Sequence, residues 1–433
     1  MPHLPSDGTG RLKRPLKIIW VLAWSCLAAF SAPRVGRALE YSGLVSVEDY
    51  YTRDSASTYN FNFLTTRARL DVTDLDENGN LSFHFSGRER LKFSSNDYNG
   101  DIRSERLDIL NLEYDNVVKG VDVVAGRLMP KGFPVERVDG LNLVYHIGKG
   151  GIGLFGGVRP DIYNRFFTTD YPIGGGYLFY QTPDLSADLA FTQVNYKGDI
   201  DRQYAYGQMI YNPLKWLRFF LSSTVDVDRD NKKPTLSNLM AEASVRPHVR
   251  LNLTVGYNQF RSVKLYASTD FTINNSRQDA YYVRAEYRIL DQSYLFTRLE
   301  RRSLDYPSFD TRRSNSDTVG GGFRTTNLLF TGTRLTAGAS YTDGFSSKYQ
   351  SYDVHLSRLF RNRVDFSLGG TLSKNEYDAT NSTDTVWTYD ASLGLYLVKH
   401  LSVSLYYERI NADSYDTDIG TLRVTYRFNS RRK

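Results

Sequence analysis

The sequence predicts an all-β fold: a transmembrane antiparallel β-barrel of about 22 strands, within about 18–24 because strand limits read from pattern err by ~2–4 residues. Three observations carry this. From Leu39 to Phe428 apolar and polar residues alternate in strand-length segments, and no stretch of useful length has a helical period. Short connections alternate with long ones throughout that span. The last segment sets Leu422, Val424, Tyr426 and Phe428 on one face against Thr421, Arg423, Thr425 and Arg427 on the other, and ends on an aromatic.

What precedes the strands is a leader. Arg11, Lys13, Arg14 and Lys17 form a basic start, Ile18 to Phe30 is an apolar run, and small residues stand at Gly36 and Ala38. This is the order of a secretory signal peptide, with cleavage expected after Ala38. The run is short of the ~20 residues a membrane helix needs. The expected organisation is therefore a signal peptide over 1–38, a barrel over 39–428 and a short periplasmic tail over 429–433. An even strand count places both termini on the periplasmic side.

Removing the leader changes the charge argument. The chain has 54 Lys/Arg and 48 Asp/Glu; residues 1–38 hold six of the bases and one acid, leaving 48 bases against 47 acids. A basic precursor with a near-neutral remainder gives no reason to expect nucleic-acid binding. The one cysteine, Cys26, lies in the leader, so no disulfide or cysteine-ligated metal is expected, and no cofactor. The mean hydropathy of −0.44 is that of a water-soluble chain. It suits a barrel equally, because only every second residue meets lipid. The 32 Tyr and 24 Phe supply the aromatic girdles that barrels place at both interfaces.

In chain order, the first strand is expected from Leu39 to Tyr51. Short turns are expected at 76–80, 115–120, 148–151, 182–185, 212–215, 246–249, 290–292, 361–363 and 398–400. Long polar loops are expected at 94–103, 228–237, 263–276, 305–316, 374–384 and 411–418. Gly, Asn, Asp and Pro dominate both sets. Spread over the span, this leaves roughly 18 residues per strand and connection, enough for the ~9–11 residues a membrane strand needs. Near the end, Trp387, Tyr389, Ala391, Leu393, Leu395 and Leu397 form an outward face, followed by Leu401, Val403, Leu405 and Tyr407. Arg106 to Tyr114 yields no clear face.

Charges at alternate positions mark the inner wall. One set is Arg284, Glu286 and Arg288 with Arg298, Glu300 and Arg302; another is Arg67 and Arg69 with Arg88, Arg90 and Lys92. Facing lipid, a midplane Arg costs ~2–4 kcal/mol, whereas a water-filled lumen holds it cheaply. Rings of Arg and Lys bias a pore toward anions. The interleaved Glu286, Glu300 and Asp71 favour the plainer reading of ion-paired wall residues that hold the lumen's shape. Glu89 and Arg301 fall on outward positions, which implies a local error in register or strand limits.

The connection from Met129 to Gly140 is a candidate constriction loop, stiffened by Pro130 and Pro134, with Lys131, Phe133, Glu136, Arg137 and Asp139 as its candidate residues. An ordinary external loop is the alternative. Gly151-Ile152-Gly153-Leu154-Phe155-Gly156 matches a dinucleotide fingerprint, but Pro160 follows and no helix does, so nucleotide binding is not expected. Those glycines, and Gly174 to Gly176, are expected at bends of the sheet. The histidines His84, His146, His248, His355 and His400 have no metal spacing. His84 and His355 are expected as wall residues, and no catalytic site is expected.

Over residues 40–428 the chain resembles bacterial porin-like outer-membrane barrels, through its architecture and its closing strand. The resemblance implies a passive channel for small hydrophilic solutes or ions in the outer membrane, with Tyr426 and Phe428 as the assembly signal read by the barrel assembly machinery. Membrane lipid and lipopolysaccharide are its implied surroundings. A second reading from another class is a barrel sheath that holds a lumen-filling partner, such as a multihaem cytochrome, across the membrane. A TonB-dependent transporter is disfavoured, since Leu39 to Tyr51 already reads as strand where a plug would stand.

Overall fold

The computed structural model describes residues 39–55, 60–92, 105–130, 137–161, 167–227, 233–263, 265, 277–305, 314–328 and 330–430. Its elements are 22 strands. The first eight are β1 (Glu40–Asp54), β2 (Asn60–Thr73), β3 (Leu81–Lys92), β4 (Arg106–Val118), β5 (Val121–Leu128), β6 (Val138–Ile147), β7 (Gly150–Val158) and β8 (Pro172–Gln181). Then come β9 (Leu185–Tyr196), β10 (Asp199–Leu214), β11 (Leu217–Val227), β12 (Pro234–His248), β13 (Leu251–Arg261), β14 (Arg277–Leu290) and β15 (Ser293–Leu304). The last seven are β16 (Asn315–Thr326), β17 (Thr333–Asp343), β18 (Ser347–Phe360), β19 (Val364–Tyr377), β20 (Ser382–Val398), β21 (Leu401–Ala412) and β22 (Asp416–Asn429).

Each strand pairs antiparallel with its sequence neighbours, and β22 returns to pair with β1 from Ser42↔Asn429 to Asp54↔Thr417. The sheet therefore has no edge, which is what a β-structure in hydrocarbon requires, since an unpaired backbone group there finds no water. Connections at one end of the barrel are all short, up to the seven residues between Thr73 and Leu81, whereas those at the other range from Lys197-Gly198 to the long span between Arg261 and Arg277. The start of β1 and the end of β22 share the turn end, where the Ser430 amide donates to the Tyr41 carbonyl at 2.8 Å. The expected alternation is present in part. The turn joining β16 to β17 and the tight connections at Lys197-Gly198 and between β17 and β18 were not expected. The connections expected at 374–384 and 411–418 are shorter, because β19 and β20 run to Tyr377 and from Ser382, and β21 and β22 to Ala412 and from Asp416. The final strand reaches Asn429, one residue past its expected limit. Ser, Thr, Asn and Asp dominate these extensions, where polar side chains meet water on both faces and the backbone pairs all the same.

Register separates the two faces. Tyr281, Val283, Leu295, Leu299, Val319, Tyr389, Leu405, Leu422, Val424 and Tyr426 are all exposed and lie in matching outward rows. β4 resisted face assignment because its pairing slips twice, between Ser86 and Gly87 against β3 and between Tyr114 and Val118 against β5. The slip at Ser86/Gly87 shifts the pairing by one residue and exchanges inward and outward positions, which breaks the two-residue period in sequence; the slip before Val118 shifts it by two and keeps the faces.

The inward face of β5 to β10 carries a core of its own. Val124, Val138, Val144, Phe155, Ile173, Tyr177, Ala190 and Val194 are buried there, and the Tyr177 hydroxyl donates to Asn142 Oδ1 at 3.1 Å. Its glycines lie within strands β7 and β8. Gly151, Gly153 and Gly175 lie beneath aromatic rings of the neighbouring strand: a Cβ on Gly153 would fall 2.0 Å from the Tyr177 ring, and one on Gly175 2.7 Å from Phe155. Each ring covers the bare backbone of its partner glycine, a cross-strand exchange that fills the wall without a second layer.

Candidate functional site: the charged inner wall

β22, β1, β2, β3 and β4 form a basic sector. Arg67 stands opposite Arg88, Thr65 opposite Arg90 and Phe63 opposite Lys92, with Arg88 opposite Arg106. Like charges directly opposed repel; most are relieved locally, while the Nε of Arg88, between Arg67 and Arg106, is buried without a hydrogen-bond partner. Glu48 accepts from Arg67 Nη2 at 3.4 Å and from Arg423 Nε at 2.6 Å. Asp71 accepts from Arg69 Nε at 2.8 Å and meets His84 Nδ1 at 2.9 Å, while His84 Nε2 lies 3.7 Å from Glu113. The Arg90 guanidinium lies over the Phe63 ring at 5.3 Å and the Lys92 amine over Phe61 at 5.7 Å. Arg106 Nε reaches Asp108 at 2.5 Å.

A second sector is built by β14, β15 and β16. Arg284 stands opposite Arg298, Tyr282 opposite Glu300, Glu286 opposite Phe296 and Arg288 opposite Tyr294. Glu300 is held between Arg298 and Arg302, its side chain 4% exposed. Arg324 Nη2 reaches Glu286 at 2.7 Å, the Tyr282 hydroxyl donates to Glu242 at 2.8 Å, and the Arg284 guanidinium covers the Tyr282 ring at 4.6 Å. The structure thus brings both predicted basic sets onto the inner face. In each, a carboxylate is shared by two cations.

Sequence reasoning passed over an acidic sector between them. Asp353 on β18, Asp390 on β20 and Glu408 on β21 share the inward face, with Asp390 directly opposite Glu408. A glycine stands beside each aspartate: a Cβ on Gly338 would fall 2.8 Å from Asp353 Oδ1, and one on Gly369 2.1 Å from Asp390 Oδ1. His355 Nδ1 lies 4.0 Å from Asp390. The signal was present as isolated acids at alternate positions. No two of them are near in sequence, so only the register joins them.

The remaining candidates fall as follows. Arg137 Nη2 reaches Asp108 at 3.2 Å, and Asp139 is held by two hydrogen bonds of 2.6 Å from buried Arg127. Lys131, Phe133 and Glu136, and the leader over 1–38, lie outside the described residues. Tyr426 is exposed on the outer face, with Phe428 6.2 Å away over Gly43. The dinucleotide-like glycines run along strand β7. Among the described residues no group of three or more His, Cys, Asp or Glu is placed to hold a metal ion.

Glu89 and Arg301 are outward in the structure as well, so the register inferred around them stands. Glu89 is buried opposite Thr66, and Arg301 Nε pairs with Asp317 at 3.2 Å near the loop end. The flaw lay in assuming that whole strands sit in hydrocarbon. The 14 residues of β14 reach ~34 Å along the axis of a tilted barrel, against an apolar band of ~25 Å.

A closed sheet of 22 strands, apolar outside and charged within, defines a transmembrane β-barrel of the outer-membrane type. No family model matches the sequence, and no curated protein does. Among solved structures the chain is similar to OpdO of Pseudomonas aeruginosa, with a TM-score of 0.48 and 11% identity over 91% of this chain and 98% of that one. It is also similar to OccAB2 of Acinetobacter baumannii, at 0.48 and 10% over 90% and 98%, and to the outer membrane protein opdK of Pseudomonas aeruginosa, at 0.47 and 12% over 90% and 99%. At these values no residue role passes from them to this chain.

Proposed function

We propose that the protein is an outer-membrane channel for passive passage of small hydrophilic solutes, with a bias toward anions. The observation that carries this is the inner wall: charged rows on three sectors of a closed barrel whose outer rows are Val, Leu, Tyr and Trp. A 22-stranded sheet at the tilt usual for membrane barrels closes at a backbone diameter of ~40–45 Å, wide enough for water beside a one-layer wall. The buried patch on β5 to β10 leaves the three charged sectors to the rest of the wall.

The anion bias follows from the sharing of carboxylates. Glu48 serves Arg67 and Arg423, and Glu300 serves Arg298 and Arg302, so each cluster keeps a positive surplus. The acidic sector opposes this and sets its limit. Conductance of the refolded protein in a planar bilayer under a salt gradient tests both parts. A stable current with an anion-favouring reversal potential is the expected result. A folded barrel that stays silent would end the free-passage reading and point to a lumen-filling partner.

A further inference from the structure

The outer face changes character within one residue pair near the loop end. Along neighbouring strands the register aligns one outward row as Val255, Val283, Leu299, Val319 and Tyr341. The next row toward the loops reads Tyr257, Tyr281, Arg301, Asp317, Asp343, Lys348 and Glu376. Every position of both rows projects away from the lumen, so the charged row is not part of the solute path. Arg301 and Asp317 are 63% and 58% exposed in their side chains despite pairing with each other. A charged row stacked directly on an apolar one is where the hydrocarbon ends and headgroups begin.

A groove of about 640 Å³ straddles this boundary on the outer face. Its floor is Val255, Val283, Leu299 and Val319, Tyr281 and Tyr341 flank it, and Arg301, Asp317 and Asp343 line it at the loop end. An apolar trough with a guanidinium and two carboxylates at one end matches an amphiphile in both halves. An acyl chain covers the Val and Leu floor. A phosphate meets Arg301 through charge-assisted hydrogen bonds. Asp317 and Asp343 would repel a bare phosphate, so the acidic members call for a divalent cation between carboxylate and phosphate, the oxygen-ligand chemistry that Mg²⁺ and Ca²⁺ prefer.

We infer that this groove is a binding site for a phosphorylated glycolipid of the outer leaflet, held by its acyl chain on β13 to β16 and by its phosphate at Arg301, with a divalent cation bridging it to Asp317 and Asp343. The inference rests on the outer-membrane reading and adds an orientation to it: the loop end lies in the outer leaflet.

Native mass spectrometry of the refolded barrel, titrated with bisphosphorylated lipid A in the presence of Mg²⁺, tests it. The wild type should retain one lipid A under conditions that strip phosphatidylglycerol. Arg301→Gln should weaken retention about tenfold, the loss of one charge-assisted hydrogen bond, and chelating Mg²⁺ or removing the lipid's phosphates should do at least as much. Val319→Trp, which fills the trough without touching the charges, should also displace the lipid. Lys149→Gln at the turn end is the control and should change nothing. Equal retention by wild type and Arg301→Gln, or equal retention of phosphatidylglycerol, overturns the site. Insertion into vesicles, read by protease protection of the same samples, separates the two levels. A barrel that fails to insert overturns the membrane reading itself, whereas one that inserts without a lipid A preference overturns only this inference.

Discussion

Arg423 and Glu48 lie 375 residues apart and meet across the seam that closes the barrel, Arg423 Nε donating to Glu48 Oε2 at 2.6 Å. Glu48 accepts from Arg67 as well, so one carboxylate ties β22, β1 and β2 from the lumen side. Its side chain is 11% exposed and that of Arg423 42%, so water screens much of the attraction. Glu48→Ala is expected to destabilise the barrel by about 1–2 kcal/mol, most of it from leaving two cations facing each other. The Glu48→Ala/Arg423→Ala double variant should recover part of the loss. The heat-modified gel shift of the folded barrel reads both, and identical midpoints for all three proteins would show that backbone pairing alone closes the seam.

The same sharing governs conduction at Glu300. Replacing it with Gln keeps the shape and removes the negative charge between Arg298 and Arg302. The reversal potential in a salt gradient should move toward greater anion preference in Glu300→Gln. Arg284→Glu, in the neighbouring position on β14, should move it the other way. A reversal potential unmoved by either change would place the solute path elsewhere in the lumen.

The strand order and the two faces were legible in sequence because a membrane barrel imposes one rule on every strand, apolar out and polar in, and Leu422 to Phe428 or Tyr281 to Tyr287 obey it visibly. Two kinds of information were not legible. Bulges such as that at Gly87 change the face without changing composition, which hid β4. Contacts between distant strands, such as Glu48 with Arg423 or Asp390 with Glu408, depend on register that no single strand encodes. The charged sets at Arg67 to Lys92 and Arg284 to Arg302 were found because their strands are adjacent in sequence. Arg301 looked like a misfit for a different reason: the eye assigned all of β15 to hydrocarbon, while its loop-end residues stand above it.

Gly153 tests how tightly the inner patch is built. A Cβ there would fall 2.0 Å from the Tyr177 ring, which is 3% exposed and tethered through its hydroxyl to Asn142. The ring has little room to move, so Gly153→Ala should cost about 1–3 kcal/mol through overpacking. Gly207→Ala is the matched control, since its nearest neighbour would stand at 3.8 Å. It should change stability by less than about 0.5 kcal/mol. A tolerated Gly153→Ala with unchanged unfolding temperature would mean that the ring does not rest on the bare backbone in solution.

Asp76 gives the barrel a local dependence on acid at the turn joining β2 to β3. Its Oδ1 accepts from the Leu81 amide at 2.9 Å and the Asn80 amide at 2.6 Å, and its Oδ2 from the Tyr114 hydroxyl at 3.3 Å. These bonds favour the ionised form, the Leu81 amide most, and hold the carboxyl below its ordinary value of 3.8. A carboxyl depressed by folding binds its proton more readily in the unfolded chain. Its contribution is therefore complete above the ordinary value and is lost as pH falls through the lower folded one. Unfolding midpoints of wild type and Asp76→Ala measured from neutral pH downward should differ by a constant amount until pH 4 is approached, then converge. A gap that persists unchanged into strong acid would show that the turn is held by Oδ1 geometry alone, without help from its charge.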